Sequence, residues 1–432
     1  MVLSVDAEET LSAEETENLK KLTAFLEKYM RIIKLPQLLV EVDNDLNFTR
    51  EFMLPTQQDS RNAEDVRAIL ISHMALGCFI GPYTMSRLTR NVSYDKIKNI
   101  IDWQFTEDNQ RLALAKIVDA ISRLEAPKRW GSGKASSSDA QRFKYNRKSI
   151  QQTFSAKLAS YALEFYTFVA DNYAPYYSTP KECTERDAPY VLDGILYNES
   201  DLNIEEHYVD THGYTEVNYA GFGVLGKKFN PRIRGVQHQT LYCIDKTKDY
   251  GCLAPLVSKN VIHMDWIVEY WDKIGHFYFS LERGHATAST ALKRLNGFNE
   301  KNHFYRATRE LGRIFKTENI LESLYDPELR KQRHRGLLKG EQIHQLNRDI
   351  AFGKRGKVNA RDLDAQRNTC SSLTIIAGSI IYWQSKEIDR VISKYGHKLD
   401  LACLAMLVHI SPISWGNILL YGEFILNLKL IK

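Results

Sequence analysis

Two long helix-patterned stretches, residues 62–125 and about 262–430, enclose a middle block of different character. Within it, Leu163-Glu164-Phe165-Tyr166-Thr167-Phe168-Val169-Ala170 is rich in aromatic and β-branched residues and reads as a strand. Residues 232–245 alternate and read as another. Tyr190-Val191-Leu192-Asp193 and Glu206-His207-Tyr208-Val209 read as shorter extended or helical pieces. Strands flanked by helices restrict the fold class to α/β.

Punctuation along the chain sets the expected organisation. Residues 1–28 carry seven acids against three lysines, with Leu19, Leu22, Phe25, Leu26 and Met30 at helical spacing, and predict an exposed helical lead-in. Pro82 and Pro127 mark helix boundaries in the region that follows. Arg129 to Ser138, small and glycine-bearing, predicts a flexible boundary. Four segments result: 1–130, 131–260, 261–325 and 326–432. The six cysteines form no C-x-x-C pair, which leaves zinc without support and fits buried thiols in a reducing compartment. An acidic N-terminus is not the pattern of a signal peptide, so the expected location is cytoplasmic. The apolar run from Leu401 to Leu420 contains His409, Pro412 and Trp415, and predicts a buried helix followed by a loop, with no membrane span.

Chemistry is concentrated at three acids. Asp139 ends Ser136-Ser137-Ser138-Asp139 and precedes Ala140-Gln141-Arg142-Phe143. Asp210 ends the strand-like His207-Tyr208-Val209 and opens Asp210-Thr211-His212-Gly213-Tyr214-Thr215. Glu341 closes Leu337-Leu338-Lys339-Gly340-Glu341 in a helical stretch. Carboxylates that meet in space can hold two Mg²⁺ ions about 3.5–4 Å apart for phosphoryl transfer. Each acid has a plainer reading: a turn after the serines, a strand-end turn, and a solvated helix-face Glu beside Gln345 or Arg348. The formal charge of +5 permits a nucleic-acid partner without demanding one. No G-x-x-x-x-G-K-[ST] or H-E-x-x-H motif is present, and Gly221, Gly223 and Gly226 lack the context of a dinucleotide site.

The words around the acids resemble the catalytic motifs of Tn3-family transposases, which read like SSDGQRF, TDT(G/H)GYT and NKGEA. This chain has Ala140 for the usual Gly, Leu338 for Asn and Gln342 for Ala, and keeps all three acids. Agreement continues in order: Asp187-Ala188-Pro189-Tyr190-Val191-Leu192-Asp193-Gly194, Pro231-Arg232-Ile233-Arg234, Arg309-Glu310-Leu311-Gly312-Arg313-Ile314 and Ile410-Ser411-Pro412-Ile413-Ser414-Trp415. Ordered agreement over roughly residues 30 to 425 is far more specific than any single motif.

The resemblance implies an RNase H-like core with a large, mostly helical insertion between the second and third acids, preceded by a helical region. It implies a DDE transposase that nicks the 3′ ends of a transposon and joins them to target DNA in replicative transposition. Asp139, Asp210 and Glu341 would be its catalytic metal ligands, for Mg²⁺ with Mn²⁺ able to substitute. DNA contacts are expected from Arg232, Arg234, Arg333, Arg335 and Lys339, although a solvated helix face is the default for any charge run. Transposon ends, target DNA and a second copy of the chain are the expected partners, and the nucleoid the place of action. Family members are much longer, so the chain reads as a catalytic half lacking the N-terminal DNA-binding regions. Two rivals stand beside this: an inactive remnant that at most binds DNA or interferes with an intact transposase, and a stand-alone metal-dependent nuclease. His207 and His212 flank Asp210 and read as packing residues first, with His212 a possible phosphate contact. Glu310 reads as an ion-pair partner of Arg306 or Arg313, and Glu199 and Asp201 as surface turn or supporting acids.

Overall fold

Ser12 opens the first helix, α1 (Ala13–Tyr29), through reciprocal bonds with Glu15: the Glu15 N–H donates to Ser12 Oγ at 3.2 Å and the Ser12 N–H to Glu15 Oε2 at 2.8 Å. The computed structural model describes residues 11–54, 62–89, 91–145, 152–233, 235, 239–298, 301–413 and 415–431. Leu22 and Leu26 of α1 are fully buried, and the helix packs against residues 401–409. The expected exposed lead-in is therefore a docked helix, because its apolar stripe finds a distant partner that local reading cannot see. The two-residue strand β1 (Ile33–Lys34) leads into α2 (Leu35–Leu46), and four further helices follow: α3 (Ala63–Gly77), α4 (Pro82–Leu88), α5 (Tyr94–Trp103) and α6 (Glu107–Arg123). Ser93 and Thr106 cap α5 and α6 by accepting backbone N–H bonds. A short α7 (Glu125–Trp130) brings the chain to the sheet.

The central strands are β2 (Ala135–Tyr145), β3 (Thr153–Ser155), β4 (Ser160–Ala170) and β5 (Pro175–Lys181). Antiparallel pairing of β2 with β4 runs unbroken from Ser136↔Ala170 to Lys144↔Ala162. Nearly every residue of β4 is buried, as in a strand covered on both faces. The stretch from Arg129 to Ser138 is consequently no flexible boundary. Asp171 accepts the N–H groups of Ser132 (3.1 Å) and Gly133 (2.7 Å), and the serines enter β2 directly.

A helical turn and α8 (Val191–Leu196) lead to β6 (Glu206–Tyr208), α9 (Glu216–Val224) and β7 (Lys228–Phe229). β6 lies parallel to β2, and β7 parallel to β6. Of the strand expected over 232–245, only β8 (Leu241–Cys243) forms among the described residues, paired with β9 (Val257–Val261) in a separate small sheet. Helices then dominate: α10 (Met264–Glu282), α11 (Ala288–Asn296), α12 (His303–Tyr325) and α13 (Pro327–Ile350). Strand β10 (Lys357–Val358) returns to pair in parallel with the far end of β2. The long α14 (Leu363–Tyr395) packs on α2, α3, α6 and β5 and carries one core from the N-terminal helices to the sheet. After the short α15 (Leu401–Ala405), the described residues form 3-10 turns at Met406–His409 and Leu428–Leu430 and the strand β11 (Ile418–Leu419). The expected buried helix is a five-residue one in which only Cys403 is buried, because Leu401, Ala402 and Ala405 face solvent. The molecule is thus mixed α/β, and among the described residues no helix is long and apolar enough to cross a membrane.

Asp193 of α8 carries a cost of this packing. It is 4% exposed and accepts the Ser289 N–H at 2.8 Å, and burial pushes its carboxyl up to about 6. The folded group holds its proton to higher pH than the unfolded chain, so stability falls as pH rises from about 4 to 6 and stays at the lower level above. Asp193→Asn keeps an acceptor for Ser289 and removes the buried charge. We expect it to raise stability at pH 7.5 by up to about 3 kcal/mol and to leave pH 4 almost unchanged. Urea titrations at the two pH values check this.

Candidate active site

Strand register brings the first two acids together. β6 pairs in parallel with β2 at Ala135↔Glu206, Ser136↔His207 and Ser137↔Tyr208. Two residues beyond the last pair stand Asp139, still within β2, and Asp210, just past the end of β6. The β6 ladder stops at Ser137 and the β10 ladder starts at Lys144, so Asp139 lies where β2 has a strand neighbour only on its β4 side among the described residues. The serines before it are buried and satisfied. Ser136 and Ser138 bond the two ring nitrogens of His207 at 2.7 and 2.8 Å, and Ser138 also meets the Tyr166 hydroxyl at 2.8 Å. Held between Phe168 and Phe222, His207 is a packing histidine, and burial drops its pKa to about 3. Asp210 closes a turn, accepting the His212 N–H at 2.8 Å on Oδ1 and the Gly213 N–H at 3.2 Å on its backbone carbonyl.

Glu341 arrives on α13, which starts at Pro327 with Asp326 accepting the Glu328 and Leu329 N–H groups. This helix lies on the Asp139 face of the sheet. Gly336 sits so near the Tyr208 ring that a Cβ would come within 2.7 Å, and its carbonyl accepts Ser137 Oγ at 2.8 Å. Gln141 donates to the His344 carbonyl at 2.7 Å. Glu341 lies between these two ties and is exposed.

Electrostatics couple the acids. Burial, followed by the charges of Asp210, Asp187 and Glu341, pushes the Asp139 carboxyl up to about 7, against the lowering bond from the Ala140 N–H. Such potential favours a cation, and a purely oxygen donor set suits a hard one. Among the described residues, however, no three His, Cys, Asp or Glu side chains are grouped closely enough to clasp one ion. The three acids are linked here by their charges acting on Asp139.

Sequence reasoning passed over Asp187. It is half-buried, its carboxylate lies 2.8 Å from Nζ of the fully buried Lys181, and Lys181 also binds Glu164, which Arg142 bonds in turn. The available signal was its place at the head of the matched Asp187-to-Gly194 block. Glu310 pairs with Arg313 as one of the two expected alternatives, whereas Arg306 lies over Trp266 at 3.6 Å. Asp201 is on the surface near Arg123 and Asp119.

The expected DNA-contacting cations divide. Arg232 is exposed beside Asp210: its N–H donates to Val209 O at 2.7 Å and its carbonyl accepts the Thr211 hydroxyl at 2.9 Å. Arg335 is exposed and 3.8 Å from Glu328. Arg333 is instead buried and donates to Ser323 Oγ at 2.9 Å. Lys339 turns inward, binding the carbonyls of Trp130 (2.8 Å) and Asp171, and burial lowers its pKa to about 8. Arg234 lies outside the described residues.

With this geometry in view, the comparisons with known proteins converge. The family profile described as Tn3 transposase DDE domain matches residues 37–424. The transposase for transposon Tn1546 of Enterococcus faecium is 32% identical over 418 residues, 96% of this chain and 42% of that protein. The transposases for transposons Tn3926 and Tn21 of Escherichia coli are each 33% identical over 398 residues, 91% of this chain and 40% of theirs. The chain therefore spans about two fifths of the length of these relatives.

Proposed function

Because the chain belongs to the Tn3 transposase DDE domain family, we propose that Asp139, Asp210 and Glu341 form the metal-dependent site of a DNA strand-breaking and strand-joining core. The observation that carries this reading is the docking of the Glu341 helix on the sheet face where parallel register sets Asp210 beside Asp139. On this reading residues 131–260 and 326–432 make up an RNase H-like core. Residues 261–325 are its helical insertion, and 1–130 its helical foundation.

Divalent cations, Mg²⁺ or Mn²⁺, would when bound neutralise charge on the scissile phosphate and activate the attacking oxygen. The chain's own residues do the rest. Asp139 would present its carboxylate from within β2, Asp210 from the turn after β6, and Glu341 from a helix that glycines let settle close. Arg232 and Arg335, both exposed, would meet DNA phosphates. Arg333 and Lys339 are withdrawn from that role, Arg333 by burial and Lys339 by donating to the carbonyls of Trp130 and Asp171. The substrate would be 3′ transposon ends, joined to target DNA in replicative transposition by two copies of the protein at the nucleoid.

A cation entering the site must displace the proton that burial and neighbouring charge keep on Asp139. Binding of Mn²⁺ should thus release about one proton at pH 6 and almost none at pH 8.5, and tighten as pH rises through about 7. Calorimetry in buffers of different ionisation enthalpy measures this. The function itself is tested with pre-nicked transposon-end DNA, a supercoiled target plasmid and Mg²⁺ or Mn²⁺. Joining supports the reading, cutting without joining favours a nuclease, and no reaction from folded protein counts against activity in this chain.

A further inference from the structure

Side chains from alternate residues of β2 fasten α13 to the sheet. Ser137 Oγ donates to Gly336 O at 2.8 Å, and Gln141 Nε2 to His344 O at 2.7 Å. Asn347 adds a bond to Gln141 Oε1 at 3.3 Å. Asp139 is the strand residue between the two fasteners, on the same face. What α13 sets against it is the imidazole of His344, with Nδ1 3.8 Å from Asp139 Oδ2. That distance exceeds a hydrogen bond and leaves room for the carboxylate to engage an ion. His344 is 8% exposed, and its Nε2 is buried without a hydrogen-bond partner. Leaving a buried polar atom unpaired costs about 1–3 kcal/mol, so an apolar side chain here would make the better filler. Asp139 Oδ1, on the other side of the carboxylate, accepts the Ala140 N–H at 2.7 Å. Glu341 stands three residues before His344, on the neighbouring turn.

We propose that His344 is a positioning residue for Asp139. The imidazole bears on one side of the carboxylate and the Ala140 N–H on the other, which fixes the first acid in orientation and in distance from the helix that carries the third. The inference rests on Asp139 being a cation ligand, as argued above. Partners that orient metal-binding carboxylates typically govern metal affinity by 10–100-fold without touching the ion.

The test compares His344→Gln with His344→Met in the full chain. The two side chains are similar in length and differ in the terminal amide that can face the carboxylate. Free Mn²⁺ is read by electron paramagnetic resonance and folding by thermal melts. The methionine variant is expected to melt near wild type and to bind Mn²⁺ about 10–100-fold more weakly, with glutamine recovering most of the loss. Equal affinity in wild type and the methionine variant, both folded, would overturn the proposal and make His344 a space-filler. Should methionine not fold, His344→Leu takes its place under the same criterion. Asp139→Asn separates the two levels of inference. If it too binds Mn²⁺ like wild type, or wild type binds none, the acidic-site reading fails. If it alone loses binding, only the role of His344 falls.

Discussion

Asp210→Asn is expected to lower metal-dependent strand joining by at least about 10³-fold, roughly 4 kcal/mol of transition-state stabilisation. Asparagine is the informative replacement because the Asp210 side chain has two duties. Its Oδ1 accepts the His212 N–H and so shapes the turn after β6. An amide oxygen preserves that bond, while the charge that a divalent cation needs is gone. A melting midpoint close to wild type alongside lost joining would therefore locate the loss in chemistry. Asp139→Asn should do the same, and combining the two should cost little more than either alone, since ligands of one site act as a unit. Retention of more than a tenth of wild-type joining in folded Asp210→Asn would remove Asp210 from the site. The readout is single-turnover joining on pre-nicked ends with saturating Mg²⁺.

The largest expected effect on stability is at Gly312. A Cβ there would lie 1.7 Å from the carbonyl oxygen of Glu216 and 2.5 Å from its carbonyl carbon. Both are backbone atoms at the start of α9, so no rotamer change can relieve the clash, and α12 must move off α9. Gly312→Ala should cost at least about 3 kcal/mol in urea unfolding, at the top of the range for overpacking or beyond it. Gly226→Ala is the control. Its φ is +68° with nothing within 4 Å of the added carbon, so only backbone strain of about 1 kcal/mol is expected. Glu216 follows Asp210 by six residues, and displacement of α9 should reach the second acid. Gly312→Ala protein that remains folded should accordingly bind Mn²⁺ less tightly, a coupling absent from Gly226→Ala.

The sequence made the α/β class and the strand at 163–170 readable, because aromatic and β-branched residues fit a pleated surface wherever they pair. β2 was hidden for the opposite reason. Ser136, Ser137 and Ser138 have the composition of a loop, and only tertiary partners turn them into strand: His207, Tyr166 and the Gly336 carbonyl absorb their hydroxyls. The acids were found through family resemblance, since their spacing alone says nothing about register. That Asp139 and Asp210 are neighbours depends on β6 returning parallel to β2. The basic residues before Glu341 misled in an instructive way. Arg333 and Lys339 look like surface charge in sequence, yet the helix face bearing Gly336 and Gly340 turns toward the sheet and takes them inward with it. Asp187 escaped notice because its partner Lys181 comes from the end of β5, and burial of an ion pair leaves no local pattern.

The pairing of β1 with β11 has a bearing on how the protein is made. Ile33 lies beside Ile418, and the buried stripe of α1 is covered by residues around 401–409. During synthesis, Leu22 and Leu26 leave the ribosome long before their shelter exists. Helix α1 stays uncovered until residues around 401–409 have emerged. Contacts this distant in sequence close slowly, and nascent chains with uncovered apolar stripes are those that chaperones hold. Docking of α1 is therefore possible only after the segment around residues 401–409 has been made.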